Sequence, residues 1–136
     1  MSTAGYSGTP LPRKLGIKAG TRAAWVRAPE HFGALLGELP DGTRVKTRAT
    51  APVDLVVCFA TRRAQLEREL PRLQEAIRPD GAVWAAWPKR SSGMPTDITE
   101  DVIRDVALPL GLVDVKVCAI DETWSGLRLV IRKALR

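Results

Sequence analysis

Two apolar runs constrain this chain more than any other feature. Val53–Ala60 reads VDLVVCFA and Gly81–Pro88 reads GAVWAAWP. Neither alternates cleanly with polar residues, so both faces of each strand need covering, as in the interior of a parallel sheet. Between them lies TRRAQLERELPRLQEAI, in which Leu66, Leu70, Leu73 and Ile77 share one helical face while Arg and Glu take the rest. Strand, helix and strand in that order form a crossover unit. The stretch Gly81–Ser125 extends it with a second helix and a hairpin, and the rest of the chain adds layers to this centre.

The flanking segments follow the same logic. Thr21–Arg27 (TRAAWVR) reads as a strand ending at Ala28-Pro29. Pro29 suits the first position of a helix, and PEHFGALLGEL continues it, weakened by Gly33 and Gly37. Pro40-Asp41-Gly42 is a turn, and Thr43–Ala49 alternates as a half-exposed edge strand. Thr61 is expected to cap the helix after Ala60, and Pro71 to kink that helix or start a second. Pro79-Asp80-Gly81 turns the chain, and Ser91–Pro95 is a loop. Asp97 with Glu100 reads as a capping box for a helix whose apolar stripe is Ile98, Val102, Ile103, Val106 and Leu110, closed by Gly111. In the last strands Val113, Val115, Val117 and Ala119 alternate with Asp114, Lys116 and Cys118, and Leu127, Leu129 and Ile131 with arginines and a valine. The short linker Asp121–Gly126 makes them antiparallel neighbours.

These elements predict an α/β class fold: a single-domain, Rossmann-like sandwich. Its mixed, mainly parallel sheet has about six strands and is closed by a C-terminal antiparallel hairpin. A chain of 136 residues suits one such domain. Residues 1–20 are expected to form an N-terminal segment, flexible over its first nine residues, with one helical turn at Pro10–Leu15 closed by Gly16; residues 21–136 form the domain.

Several chemistries are disfavoured. A nucleotide-binding Rossmann unit needs a glycine-rich turn after its first strand, so that backbone amides approach the cofactor. Here that turn is Arg27-Ala28-Pro29-Glu30, and proline removes one amide. The second strand ends Arg48-Ala49-Thr50, where an acidic ribose ligand is usual. A standard S-adenosylmethionine or NAD site is therefore not expected, no Walker sequence is present, and no cofactor is assigned. The only histidine, His31, reads as a surface or packed residue, and no serine- or cysteine-based triad has spacing support. Cys58 and Cys118 sit in apolar runs and read as reduced, packed thiols, with no metal site. The N-terminus lacks the apolar core of a signal peptide, and no run approaches the ~20 apolar residues of a membrane span. The expected compartment is the cytoplasm, with no membrane partner.

Ligands of open α/β sheets bind beyond the carboxyl ends of the parallel strands. In this chain those ends are Arg27, then Thr61-Arg62-Arg63, then Lys89-Arg90-Ser91-Ser92. Five basic side chains would gather there, suited to a phosphate or carboxylate. A second polar group comprises Asp97, Glu100, Asp101, Asp121 and Glu122; helix capping and turn formation account for it better than catalysis does. Trp84 and Trp87 read as core or rim packing rather than a stacking platform. Trp124 is unusual, because a tight polar turn exposes an indole unless it folds back.

The segments GYSGTPLPRKLGIKAG (Gly5–Gly20) and GLVDVKVCAIDETWSGLRLVIRK (Gly111–Lys133) resemble a family of short bacterial proteins catalogued as a domain of unknown function. The resemblance implies a bacterial cytoplasmic protein and brings no activity with it. It also implies that GYSGTPL folds across the sheet or into a partner. The arrangement of elements resembles Rossmann-like methyltransferases, with IRPDGAVWAAWP similar to the turn and strand entering their fifth strand. The reading drawn from all this is a non-enzymatic binding or interaction protein. Its anion face would use Arg27, Thr61, Arg62, Arg63, Lys89, Arg90, Ser91 and Ser92, with Asp97, Asp121, Glu122 and Trp124 at its border. One alternative is an enzyme with a site between the 89–99 and 121–125 loops. Another is nucleic-acid binding through the net charge of +6, which composition permits without supporting. A homodimer through a sheet edge or helix face is compatible with the same residues.

Overall fold

The computed structural model describes residues 8–136. One six-stranded sheet organises the chain: β1 (Arg22–Val26), β2 (Arg44–Lys46), β3 (Val53–Phe59), β4 (Ile77–Pro88), β5 (Leu112–Ala119) and β6 (Trp124–Ile131), in the order β2-β1-β3-β4-β6-β5. The first four run parallel, and β6 is antiparallel to both β4 and β5. The mixed α/β sandwich with a closing hairpin is thus the observed architecture.

Helices cover both faces. Helices α3 (Arg63–Ala76) and α4 (Glu100–Ala107) bury Leu66, Leu70, Leu73 and Ile103 with Val56, Cys58, Val83 and Leu127. On the opposite face α1 (Leu11–Leu15) and α2 (Phe32–Leu36) pack with Leu55, Val57, Phe59 and Trp84. β3 and the inner part of β4 are buried on both faces, as their unbroken apolar sequences require. Trp84 is fully buried, and its indole N–H donates to the Leu15 carbonyl at 2.9 Å, so α1 is tied to the sheet. Gly16, at φ +86°, ends α1 in the left-handed conformation. The expectations for residues 1–7 lie outside the described residues.

Five local expectations need correction. First, α3 continues through Pro71 and no second helix starts there. A helical proline costs about 3 kcal/mol, but Leu66, Leu70 and Leu73 on either side are each worth about 1.5–3 kcal/mol when buried. Second, Thr61 does not cap α3. The amides of Thr61 and Arg62 donate to the Gln65 side chain at 2.9 and 3.3 Å, and the Arg63 amide donates to Asp97 Oδ1 at 2.7 Å. Third, Asp97 is consequently not the cap of α4. Thr99 is, accepting the Val102 amide at 3.2 Å, and the helix begins at Glu100. Fourth, the turn expected at residues 79–81 is absorbed into β4. Ile77 pairs with Val53, yet Ala82 pairs with Leu55, so the intervening residues bulge from the ladder. Gly81 belongs there because a Cβ would stand 2.8 Å from the Asp54 carbonyl oxygen. Fifth, the inward alternation assigned to Val113, Val115 and Val117 breaks. A register shift between Asp114 and Lys116 leaves Val115 and Val117 half-exposed on the edge strand.

Candidate functional site

The carboxyl ends of β1, β3, β4 and β5 open on one edge of the sheet. Hydrogen bonds join their turns. Thr96 Oγ1 donates to the Thr61 carbonyl at 2.7 Å, linking the loop after β4 to the turn after β3. The Lys89 amide donates to the Thr123 carbonyl at 2.7 Å, linking the same loop to the β5–β6 turn. The 89–99 and 121–125 loops are therefore neighbours.

At the β5–β6 turn, Asp121 Oδ1 accepts the amides of Thr123 and Trp124 at 2.9 and 2.7 Å. The second oxygen, Oδ2, lies 2.9 Å from His31 Nε2. His31 stands at the start of α2, just beyond the end of β1. A carboxylate accepts hydrogen bonds, so the facing ring nitrogen is the donor of this contact. The carboxylate side chain is 13% exposed and the imidazole 53%. The carboxylate is thus held within the turn while the imidazole meets solvent. Beneath it Trp124 turns inward and meets Phe59 edge to face at 5.1 Å; Phe59 meets Phe32 at 4.9 Å. The indole in the polar turn is thus packing, and it fixes the turn that holds Asp121.

His31 was not expected to function, and nothing local marks it. Its partner stands far away in sequence, and only the fold brings the two together.

The other residues assigned to this edge divide by their partners. The Arg27 guanidinium lies 3.6 Å from Glu69, a buried carboxylate on α3 that also pairs with Arg72. Arg27 has φ +58°, a left-handed conformation uncommon for a residue with a side chain. Arg63 pairs with Glu67 at 3.0 Å and reaches Asp105 at 4.0 Å. Among the described residues, Arg62, Lys89 and Arg90 make no ion pair and remain on the edge. Thus three of the five expected cations stay available there. Ser92 closes the turn after β4, donating to the Lys89 carbonyl at 2.7 Å; Ser91 and Glu122 are exposed. Asp97 is held by the Arg63 amide, and Glu100 and Asp101 grip Arg104 at 2.8 and 3.0 Å. A cleft of about 670 Å³ lies between the loop after β4 and the start of α4, lined by Trp87, Arg90, Met94, Thr96 and Thr99 among others.

Both cysteines are free thiols. Burial, reinforced by nearby Glu69, pushes Cys58 up to about 12. Burial also raises Cys118, against the pull of Lys14 and Lys116. Among the described residues no cluster of three metal-ligating side chains occurs, and no helix is long and apolar enough to cross a membrane.

No family model matches the chain, and no curated protein matches it in sequence. Solved structures do match its fold. Fibrillarin from Aeropyrum pernix, solved with natively bound S-adenosyl-L-methionine, superposes with a TM-score of 0.58 at 14% identity over 85% of this chain and 69% of its own. Magnesium protoporphyrin IX methyltransferase from Synechocystis PCC 6803, with bound SAH, gives 0.59 at 11% identity over 89% and 78%. A SAM-dependent methyltransferase from Aquifex aeolicus gives 0.59 at 13% identity over 89% and 88%. At these identities the likeness establishes the fold, which is that of Rossmann-like methyltransferases.

This finding overturns the reading as a non-enzymatic binding protein. Methyltransferases are among the solved proteins that share the architecture, and they give the enzyme alternative a precedent. The precedent does not extend to the cofactor cradle. After β1 the chain offers Pro29, which has no amide. The Phe32 amide is engaged by the Pro29 carbonyl at 3.0 Å. The end of β2 carries Lys46, bound to the Thr50 and Pro52 carbonyls, where a ribose would need a carboxylate. These residues do not fit S-adenosylmethionine at the position where this fold usually holds a nucleotide.

Proposed function

We propose that this chain is an enzyme acting on a small molecule by proton transfer at the carboxyl edge of its sheet. His31 serves as general base, and Asp121 positions it. The observation that carries this reading is the 2.9 Å contact between His31 Nε2 and Asp121 Oδ2, on the edge where open α/β sheets place their chemistry.

His31 Nδ1 takes a proton from a substrate hydroxyl, amine or activated carbon. The ring then becomes a cation, and Asp121, held by two backbone amides, stabilises it without moving. Lys89 and Arg90 stand on the loop hydrogen-bonded to the Asp121 turn, and Arg62 on the next one. They suit an anionic group on the substrate, away from the atom that loses its proton. The bacterial cytoplasmic setting implied by the family resemblance fits an enzyme of small metabolites.

The test incubates the protein with a bacterial metabolite extract, with and without added S-adenosylmethionine, and follows depletion and new products by mass spectrometry. Wild type should convert at least one compound. His31→Gln should abolish conversion while keeping the fold, and added S-adenosylmethionine should make no difference. Equal conversion by wild type and His31→Gln, or no conversion at all, rules the reading out.

A further inference from the structure

The salt bridges of this molecule are unevenly spread. Arg63, Arg72 and Arg104 are all paired with carboxylates on α3 and α4. On the other side of the sheet, between α1 and the edge strand β5, a groove of about 450 Å³ is lined by Thr9, Arg13, Lys14, Lys116 and Cys118, with no carboxylate. None of its three cations makes an ion pair among the described residues, and residues 1–7 contain no Asp or Glu to supply one.

Two further features concern these charges. Lys14 is not a free surface lysine: its ammonium donates to the Ala119 carbonyl at 3.0 Å, which fixes it at the end of β5. Lys116 stands directly opposite Arg128 in the β5–β6 ladder. Like charges directly opposite on an antiparallel pair destabilise the sheet. An anion seated in the groove offers Lys116 a partner and so offsets that penalty.

We propose that this groove is a binding site for a phosphorylated small molecule, distinct from the His31–Asp121 pair and independent of the reaction assigned to it. Three cations lining one groove match a di- or trianionic phosphate or diphosphate better than a single carboxylate. Among the described residues no aromatic side chain lines the groove, so none of them offers a nucleobase a stacking platform. Recognition therefore falls on the phosphate itself. Arg13 supplies a planar fork and the two lysines point charges, with the Thr9 hydroxyl at the rim.

The test is isothermal titration with inorganic pyrophosphate, first at low ionic strength and then at physiological salt. It compares wild type, Lys116→Glu, Arg13→Glu and the control Lys133→Glu, which makes the same change of net charge outside the groove. Wild type should bind, and affinity should fall as salt rises. Lys116→Glu and Arg13→Glu should each weaken binding about tenfold or more, while Lys133→Glu should bind like wild type. Lys116→Glu should also raise the thermal midpoint, since it replaces a repulsive cross-strand pair with an attractive one. That gain separates loss of a ligand site from loss of the fold. No binding of pyrophosphate at low salt, equal weakening by Lys133→Glu, or binding of an RNA oligomer without pyrophosphate would each overturn the proposal.

Discussion

His31 and Asp121 are 90 residues apart, yet His31 Nε2 and Asp121 Oδ2 are separated by 2.9 Å. The contact joins the turn after the first strand to the turn of the final hairpin. Both residues lie beyond strand ends on the same edge of the sheet, and Asp121 is fixed from within by the Thr123 and Trp124 amides. The two partners therefore have different duties. Asp121 holds a turn as well as an imidazole, whereas His31 holds only the carboxylate.

Substitutions should separate those duties. His31→Gln removes one exposed contact and should change stability by less than about 1 kcal/mol. Asp121→Ala leaves two turn amides without their acceptor and should cost about 1–3 kcal/mol. Urea unfolding of the two variants checks the ranking. Similar losses in both would show that the turn does not depend on Asp121.

Arg27 and Glu69 make a second separable pair. Arg27 is held at φ +58° and its side chain is 37% exposed, so its ion pair with Glu69 is weakened by solvent. A left-handed residue with a side chain costs about 1–2 kcal/mol, which glycine avoids. The two effects nearly cancel in Arg27→Gly, whose stability should lie within about 1 kcal/mol of wild type. Arg27→Val keeps the strain, loses the charge and adds β-branching, so it should be clearly less stable. Thermal midpoints of the two variants decide whether backbone strain or the ion pair dominates.

The parts of this fold that could be read in the sequence are those whose signals are local. VDLVVCFA and GAVWAAWP announce buried strands because every residue in each run needs cover, and the short linker at residues 121–126 fixes the hairpin. What escaped depends on partners elsewhere. Asp97 looks like a cap for the helix that follows it, but it caps the preceding one, because the fold carries the loop after β4 past the start of α3. Pro71 looks like a break, but its neighbours Leu70 and Leu73 are bound by the sheet. Arg27 and Arg63 look like ligands at strand ends, but Glu69, Glu67 and Asp105 take them. The contact of His31 with Asp121 escaped for the same reason.

The exchange of caps makes a direct prediction. Asp97→Ala should destabilise the protein by about 1 kcal/mol through α3, and Thr99→Ala by a similar amount through α4. Amide hydrogen exchange tells the helices apart. Asp97→Ala should speed exchange in the first turn of α3, near Ala64 and Gln65, and leave α4 protected. Faster exchange confined to α4 would restore the capping box expected from the sequence.

Cys58 links burial to pH. Its thiol is pushed up to about 12, first by desolvation and then by the nearby Glu69 charge. In the unfolded chain an ordinary thiol ionises near 8.5. Below that value both states are protonated, and the neutral thiol contributes its full stability. As pH rises above it, the unfolded chain loses its proton while the folded chain keeps it, so unfolding gains free energy. The slope is at most about 1.4 kcal/mol per pH unit, and the loss continues until the folded thiol itself ionises near 12. Urea midpoints should therefore fall between about pH 9 and 11 more steeply for wild type than for Cys58→Ala, which shares every other titration. Ellman's reagent gives an independent readout: Cys58 should react only after denaturant is added. Parallel pH profiles for the two proteins, or rapid labelling of folded Cys58, would mean that the thiol is not held neutral by the core.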